Sequence, residues 1–424
     1  MIELVLHYRR TSRFGLNAVH GAVETDPRTR AVPVLVARGL EAAVAAARRA
    51  LAGGRRPVVA WSFLTASLEE VRGELAAFRA ACPGRPVVHL AGGAHPSADP
   101  EGTLRAGFDL VARGEGERTL PALLAALDRA ANDGAAADRS AARSVPGLAW
   151  LEPGPEGTPR LATSGRAEPV DLDAVPPWAA GGRAGPIEIT RGCIWACRFC
   201  QTPFLFKARW RHRSVSSVRA AVADLRARGA RDVRFVTPSA LSYGAEGDEP
   251  NLEAVEALLA AAREAIGPAG RIFLGTFPSE LRPEHVSAEV LALLRRHCHN
   301  RLIILGGQSG SDRLLAAMGR GHDAAAVERA AALTVEAGLT PAVDLMFGLP
   351  DEAEEDREAT RRLARHLAAM GARVAAHAFM PLPGTPWAGA PSARIDETTR
   401  LLLDRLASAG RSHGPWRRQA GQAP

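Results

Sequence analysis

Between residues 186 and 380 the chain alternates apolar runs and amphipathic segments six times, and residues 1–130 already show the same alternation with five runs. Such a pattern predicts right-handed β-α-β units and parallel sheets. In the first block, strands are expected at 2–7, 32–37, 58–62, 87–90 and 108–112, with segments such as "GLEAAVAAARRALAGG" between them. In the second block, the strand candidates are "PIEIT", "DVRFVT", "RIFLGTF", "RLIILGG", "PAVDLMFG" and "RVAAHAFM". Six β/α units fall short of a closed eight-stranded barrel. They suit a partial (β/α)6 barrel with one open side, over 186–390. Residues 131–185 are rich in Ala, Gly, Pro, Asp and Arg, and read as a linker or strap with a hairpin at "GLAWLEPGPEGTPRLAT". Residues 391–424 read as one helix, "DETTRLLLDRLASAG", and a disordered polar tail.

Composition narrows the partners. At 424 residues and 46% hydrophobic content, the chain is long enough for two or three globular domains. No run reaches the roughly 18 apolar residues of a membrane span, and "MIELVLHYRR" reads as a strand, not a signal peptide. A cytoplasmic protein without a membrane partner is expected. The net charge of +7 rests on arginines spaced along helix faces. With no concentrated basic tail, it does not predict a nucleic-acid partner.

Five cysteines are too few and too unevenly placed for a disulfide framework. Three of them, Cys193, Cys197 and Cys200, crowd into "EITRGCIWACRFCQTP" directly after a predicted strand. Soft thiolates select zinc or iron–sulfur clusters. Structural zinc takes four ligands, usually in two separated pairs, and His212 is the nearest candidate for a fourth. Three thiolates suit a [4Fe-4S] cluster with one iron left open.

On this Cys-x3-Cys-x2-Cys spacing, with Phe199 before the last cysteine, the chain resembles the radical S-adenosylmethionine enzymes. The resemblance implies that Cys193, Cys197 and Cys200 hold the cluster and that the open iron binds S-adenosylmethionine. One electron then splits the sulfonium and yields a 5′-deoxyadenosyl radical. An external electron donor of the flavodoxin or ferredoxin type is implied as well. "GGQSGSDRLLAAMGRGH" (306–322) resembles the segment that closes around that cofactor. Gln308 and Ser309 would end a strand at the cofactor, Gln308 at its ribose, and Arg320, twelve residues past Gln308, would meet its carboxylate. "DLMFGLPDEAEED" (344–356) resembles the strand and loop that pack on the adenine, with Gly348 allowing close approach. The family's usual Gly-Gly-Glu is absent; Thr237, Pro238 and Ser239 stand in its place.

In the first block, Gly92–Gly93 and Gly114-Glu115-Gly116 follow predicted strands, where small residues admit a large flat ligand. These segments resemble the cobalamin-binding domain fused to many radical S-adenosylmethionine enzymes. Trp61, Ser62 and Thr65 are in place to touch a corrin or its tail. The Asp-x-His-x-x-Gly sequence that supplies an axial histidine is missing, and His20 and His95 read as structural. A Rossmann-like cobalamin-binding domain over 1–130 is the expectation.

The resemblance implies cobalamin-dependent methyl transfer to an unactivated carbon of a small molecule or peptide. The competing outcomes are cyclisation, rearrangement or oxidation with cobalamin in a non-methylating role, or methylthiolation. Methylthiotransferases carry a different N-terminal domain with three cysteines of its own, whereas only Cys82 lies in this one. An iron–sulfur sensor is the non-enzymatic alternative. Cys298 reads as a buried helix-end thiol, and His377 and Trp387 as candidate substrate contacts.

Overall fold

A computed structural model of the chain describes residues 1–130 and 140–421. It divides into two compact units, Met1–Gly185 and Pro186–Pro424. Among the described residues, no helix is long and apolar enough to cross a membrane.

In the first unit, β1 (Ile2–Tyr8), β2 (Val34–Arg38), β3 (Arg56–Ser62), β4 (Val88–Gly92) and β5 (Leu110–Ala112) form a parallel sheet in the order β2-β1-β3-β4-β5. The connections are α1 (Arg13–Thr25), α2 (Leu40–Ala52), α3 (Leu68–Ala81), α4 (Ala94–Ala98) and α5 (Pro100–Arg105), and α6 (Gly116–Arg129) follows β5. The central strand shows why the sheet is covered on both faces. "IELVLHY" is apolar at nearly every position, as a doubly buried parallel strand must be. Leu4 and Leu6 join Leu16, Leu123 and Leu124 in one core, while Val5 joins Val59, Trp61 and Phe78 in the other. Strand order reverses between β1 and β3, and in open α/β sheets ligands bind at the carboxyl edge beside such a reversal.

The strap expected over 131–185 is, from residue 140 onward, part of this unit. β6 (Leu148–Pro153) and β7 (Pro159–Thr163) form the predicted hairpin and extend the sheet antiparallel from β5. Residues 131–139 of that strap lie outside the described residues.

The second unit holds the six expected parallel strands: β8 (Ile187–Glu188), β11 (Asp232–Val236), β12 (Arg271–Phe273), β13 (Leu302–Gln308), β14 (Thr340–Phe347) and β15 (Arg373–Ala378). They form two arcs, joined by an isolated parallel bridge from Leu281 to Leu305. A short antiparallel pair, β9 (Thr190–Arg191) and β10 (Arg211–His212), flanks the loop that carries the three cysteines. The helices are α7 (Gln201–Leu205), α8 (Val215–Ala227), α9 (Leu252–Ile266), α10 (Ala288–His297), α11 (Asp312–Met318), α12 (Ala324–Glu336), α13 (Glu354–Ala369) and α14 (Glu397–Ser408). Ser214, Asn251, Ser287, Ser311, Asp323 and Asp396 cap them by accepting from first-turn amides. The architecture is therefore α/β: a Rossmann-like domain followed by a partial barrel.

The C-terminal segment departs from expectation. Instead of a disordered tail, Ser412–His413 adds a strand, β16, parallel to β15, and Trp416–Ala420 forms α15 with Trp416 buried. Arg411 Nη1 donates to Gly371 O at 2.9 Å and holds this return in place. Residues 422–424 lie outside the described residues.

Candidate functional site

The three cysteines occupy the loop between β9 and α7. Ala196 takes a left-handed φ of 49°, a turn unusual for a residue with a Cβ. The turn closes with Cys200 N–H donating to Cys197 O at 3.0 Å. Arg198 N–H donates to Met318 O, and Arg198 O accepts from Trp387 N–H, so neighbouring loops clamp this one. All three thiols are free. Burial pushes Cys193 up to about 11, with Cys200 and Cys197 adding to the rise. Burial raises Cys200 as well, and Cys197 again contributes.

The surroundings decide what such a thiol set suits. Arg320 Nη1 lies 3.7 Å from Cys197 Sγ, and its Nη2 donates to Gly306 O at 2.6 Å. Arg282 stacks on Trp195 of the cysteine loop, its Cζ 3.5 Å from the ring centroid. Arg320 Nε and Arg282 Nη2 are buried donors without a partner. Thiols with raised pKa become thiolates when a metal takes them, and orphaned guanidinium donors call for an anion. Among the described residues, no three His, Cys, Asp or Glu side chains gather at single-ion spacing. Three thiols beside cationic donors without partners fit an anionic iron–sulfur cluster better than a zinc ion, which takes a fourth ligand. His212 is no fourth ligand: its Nδ1 lies 3.0 Å from Thr190 Oγ1 and its Nε2 3.1 Å from Ala245 O. Cys298 is pushed up to about 12 by burial, and Cys82 belongs to the first unit's core.

Beside the thiols stands a polar wall centred on Gly306. A Cβ at Gly306 would lie 3.2 Å from Arg320 Nη2, 3.3 Å from Gln308 Nε2 and 3.3 Å from Glu280 Oε2. Gln308 adopts a left-handed φ of 68° where β13 shifts register, strain of the kind that collects at functional sites. Glu280 was not foreseen. Burial, with Asp344 next, raises its pKa to about 7, although Arg320 and His377 oppose the rise. By accessible area the residue is nonetheless solvent-exposed, so it is the upward direction of the shift that bears on the site. Asp344 Oδ1 lies 3.5 Å from His377 Nε2, which places His377 on the same wall. Arg282 and Glu280 sit outside any motif, whereas Asp344 lies within β14 as the first residue of "DLMFGLPDEAEED".

Other expected residues serve packing. Ser309 is fully buried, 3.1 Å from Thr360 Oγ1 on α13, and accepts from Ser311 N–H. Phe199 and Trp387 pack against an apolar cluster of Leu314, Leu315, Met318, Leu349 and Phe379. At Gly348 the close approach is made by the chain itself: a Cβ there would lie 2.5 Å from Ala393 O. After β11, the Ser239 carbonyl is taken by Thr237 and Ser242 hydroxyls, while Ser239 Oγ is buried without a partner beside half-exposed Pro238.

In the first unit, Ser62, Gly92 and Gly93 meet at the carboxyl edge. Gly93 has φ 94° and ψ −168°, open only to glycine, and a Cβ there would lie 2.8 Å from Ser62 Oγ. Gly114 N–H donates to Ser97 Oγ at 2.9 Å on the same edge. Thr65 Oγ1 lies 3.1 Å from His95 Nδ1. Trp61 is displaced from the expected contact. It is 1% exposed, its ring centroid lies 4.2 Å from that of His7 at a 35° tilt, and it donates to His89 Nδ1. Glu115 accepts from Val170 N–H, and Gly116 lets α6 approach Val19, so both act within the fold. His20 stands against Gly182, as a structural histidine would.

Residues 187–364 match the model of the Radical SAM superfamily, and residues 11–124 match that of the B12 binding domain. The chain thus carries a B12-binding domain ahead of a radical SAM domain. These two domains imply a [4Fe-4S] cluster, S-adenosylmethionine and cobalamin as cofactors. An uncharacterized protein of Methanopyrus kandleri is 27% identical over 360 residues, 73% of this chain and 64% of its own length. The tRNA-2-methylthio-N(6)-dimethylallyladenosine synthase of Sorangium cellulosum is 32% identical over 198 residues, 43% of this chain and 39% of its own. The chain thus spans less than two thirds of the length of these curated relatives. Among solved structures, the radical S-adenosylmethionine methyltransferase TsrM of Kitasatospora setae covers 91% of this chain and 74% of its own, at 18% identity and TM-score 0.65. The cobalamin-dependent S-adenosylmethionine radical enzyme OxsB covers 86% and 52%, at 15% identity and TM-score 0.63. At these identities the likeness is one of fold.

Proposed function

We propose that this protein is a cobalamin-dependent radical S-adenosylmethionine methyltransferase acting on a carbon of a small molecule or peptide. The observation that carries the reading is a single chain joining a B12-binding domain to a radical SAM domain whose three free thiols stand beside two guanidiniums with orphaned donors. When bound, the cluster supplies the electron that splits the sulfonium cofactor, and cobalamin carries the methyl group. Cys193, Cys197 and Cys200 hold the iron. Arg320 and Gln308 orient a polar ligand against the wall at Gly306, and Glu280 offers it an acceptor. Ser62, Gly92, Gly93 and Gly114 leave room at the carboxyl edge for a corrinoid. The electron comes from an external donor of the flavodoxin or ferredoxin type.

The methylthiotransferase reading has less support: the methylthio synthase of Sorangium cellulosum aligns with 43% of the chain, whereas the TsrM fold spans 91%. Protein reconstituted with iron, sulfide and cobalamin, given methyl-labelled S-adenosylmethionine and a reductant, tests the proposal. Formation of both 5′-deoxyadenosine and S-adenosylhomocysteine is expected. Deoxyadenosine alone would favour cyclisation, rearrangement or oxidation. Neither product would leave an iron–sulfur sensor.

A further inference from the structure

Arg282 belongs to no motif, yet it is the most constrained cation at the cysteine loop. Its backbone follows Leu281, which bridges to Leu305 of β13, so its origin is fixed by the barrel. The residue is 5% exposed. One edge of the guanidinium is committed: Nε donates to Glu284 Oε1 at 2.5 Å. One face is committed too, against Trp195, between Cys193 and Cys197 in the chain. Gly321 makes room for the stack; a Cβ there would lie 2.5 Å from Trp195 Cζ3 and 3.3 Å from Arg282 Nη2. What remains is Nη2, buried and without a partner.

The charges around it do not balance. Glu284 is shared, since His322 Nδ1 lies 2.9 Å from its Oε2. Burial would raise the Glu284 pKa, but His322 and Arg282 overcome it and hold the carboxylate down at about 2. Arg320 is close enough to Arg282 for the two cations to repel, and together with burial this lowers the Arg282 pKa. Cys193 and Cys197 both feel the Arg282 charge. A buried cation with a spare donor, beside a second cation and three thiols, favours an anion that takes up that donor.

Resting on the cluster assignment made under Proposed function, we propose that Arg282 is a positioning residue that raises the reduction potential of the cluster, with Glu284 as its counterweight. The reasoning is electrostatic. Reduction adds one electron from the external donor and makes the cluster more negative. A fixed buried cation favours that state, and net charge and hydrogen bonds to sulfur are among the determinants of such potentials. Trp195 holds the guanidinium plane in place through its ring face.

The test uses the full chain, anaerobically loaded with iron and sulfide and titrated with dithionite while the reduced cluster is followed by electron paramagnetic resonance. Arg282→Gln is expected to bind iron and to shift the midpoint negative. The reduced-to-oxidised ratio at fixed ambient potential should fall about tenfold, or about 59 mV for one electron. Glu284→Gln is expected to shift it positive, because it removes the opposing charge and leaves Arg282 in place. A loaded Arg282→Gln protein with an unchanged or more positive midpoint would overturn the assignment. If Arg282→Gln does not load, Glu284→Gln decides alone, and an unchanged or negative shift there overturns it. Wild-type protein that takes up no iron would refute the cluster reading itself.

Discussion

The loop after β14 carries a carboxyl whose ionisation works against the fold. Glu352 is 8% exposed. Its Oε2 accepts from Gly348 N–H at 3.2 Å, and its Oε1 is buried without a partner. Burial raises its pKa from 4.5 to about 7, despite the Gly348 amide and Arg357. A folded-state pKa above the unfolded one means that the native state holds the proton more tightly. Stability is therefore fully retained below the unfolded value, falls as pH rises from 4.5, and levels off above 7. The 2.5-unit difference corresponds to about 3 kcal/mol. Glu352→Gln keeps the shape and the acceptor for Gly348 but cannot ionise. At pH 8 it should be more stable than the wild type by up to about 3 kcal/mol, or very roughly 6–10 °C in Tm for a unit of this size. At pH 4.5 the two proteins should melt within a degree or two of each other. Thermal unfolding of both at the two pH values measures this directly. A gain of the same size at both, or a loss at pH 8, would refute the burial argument.

Three further outcomes follow from the sites. In iron-free protein at pH 8, Cys193 should alkylate about 100-fold more slowly than a thiol of pKa 9, because burial holds its pKa near 11; peptide mass spectrometry after timed iodoacetamide exposure reads the rate. Cys197→Ala should abolish both iron loading and 5′-deoxyadenosine formation, and normal iron content would contradict its place in the cluster. Gly93→Ala forces a Cβ to within 2.8 Å of Ser62 Oγ at a φ of 94°. It should cost roughly 1–3 kcal/mol and reduce corrinoid retention in gel filtration, while leaving iron content intact.

The strands were legible because parallel strands buried on both faces are mostly apolar, as "IELVLHY" and "RLIILGG" are. The thiol cluster was legible because metal chemistry fixes residue type and spacing together. The tail was misread: "RSHGPWRRQA" is polar, yet two residues of it pair with β15 through backbone bonds that any side chain permits. Trp61 was misassigned because position along a strand does not say which face a side chain takes; one residue later, Ser62 reaches the edge that Trp61 was expected to line. Arg282 and Glu280 left no mark for a different reason. Each follows a strand at an ordinary loop position, in a chain with 53 basic and 46 acidic residues. What sets them apart is the charge they face from residues distant in the sequence, Arg320 and Asp344 or the cysteine loop. A functional charge of this sort is defined by imbalance with its neighbours, and that imbalance exists only once the strands have brought the neighbours together.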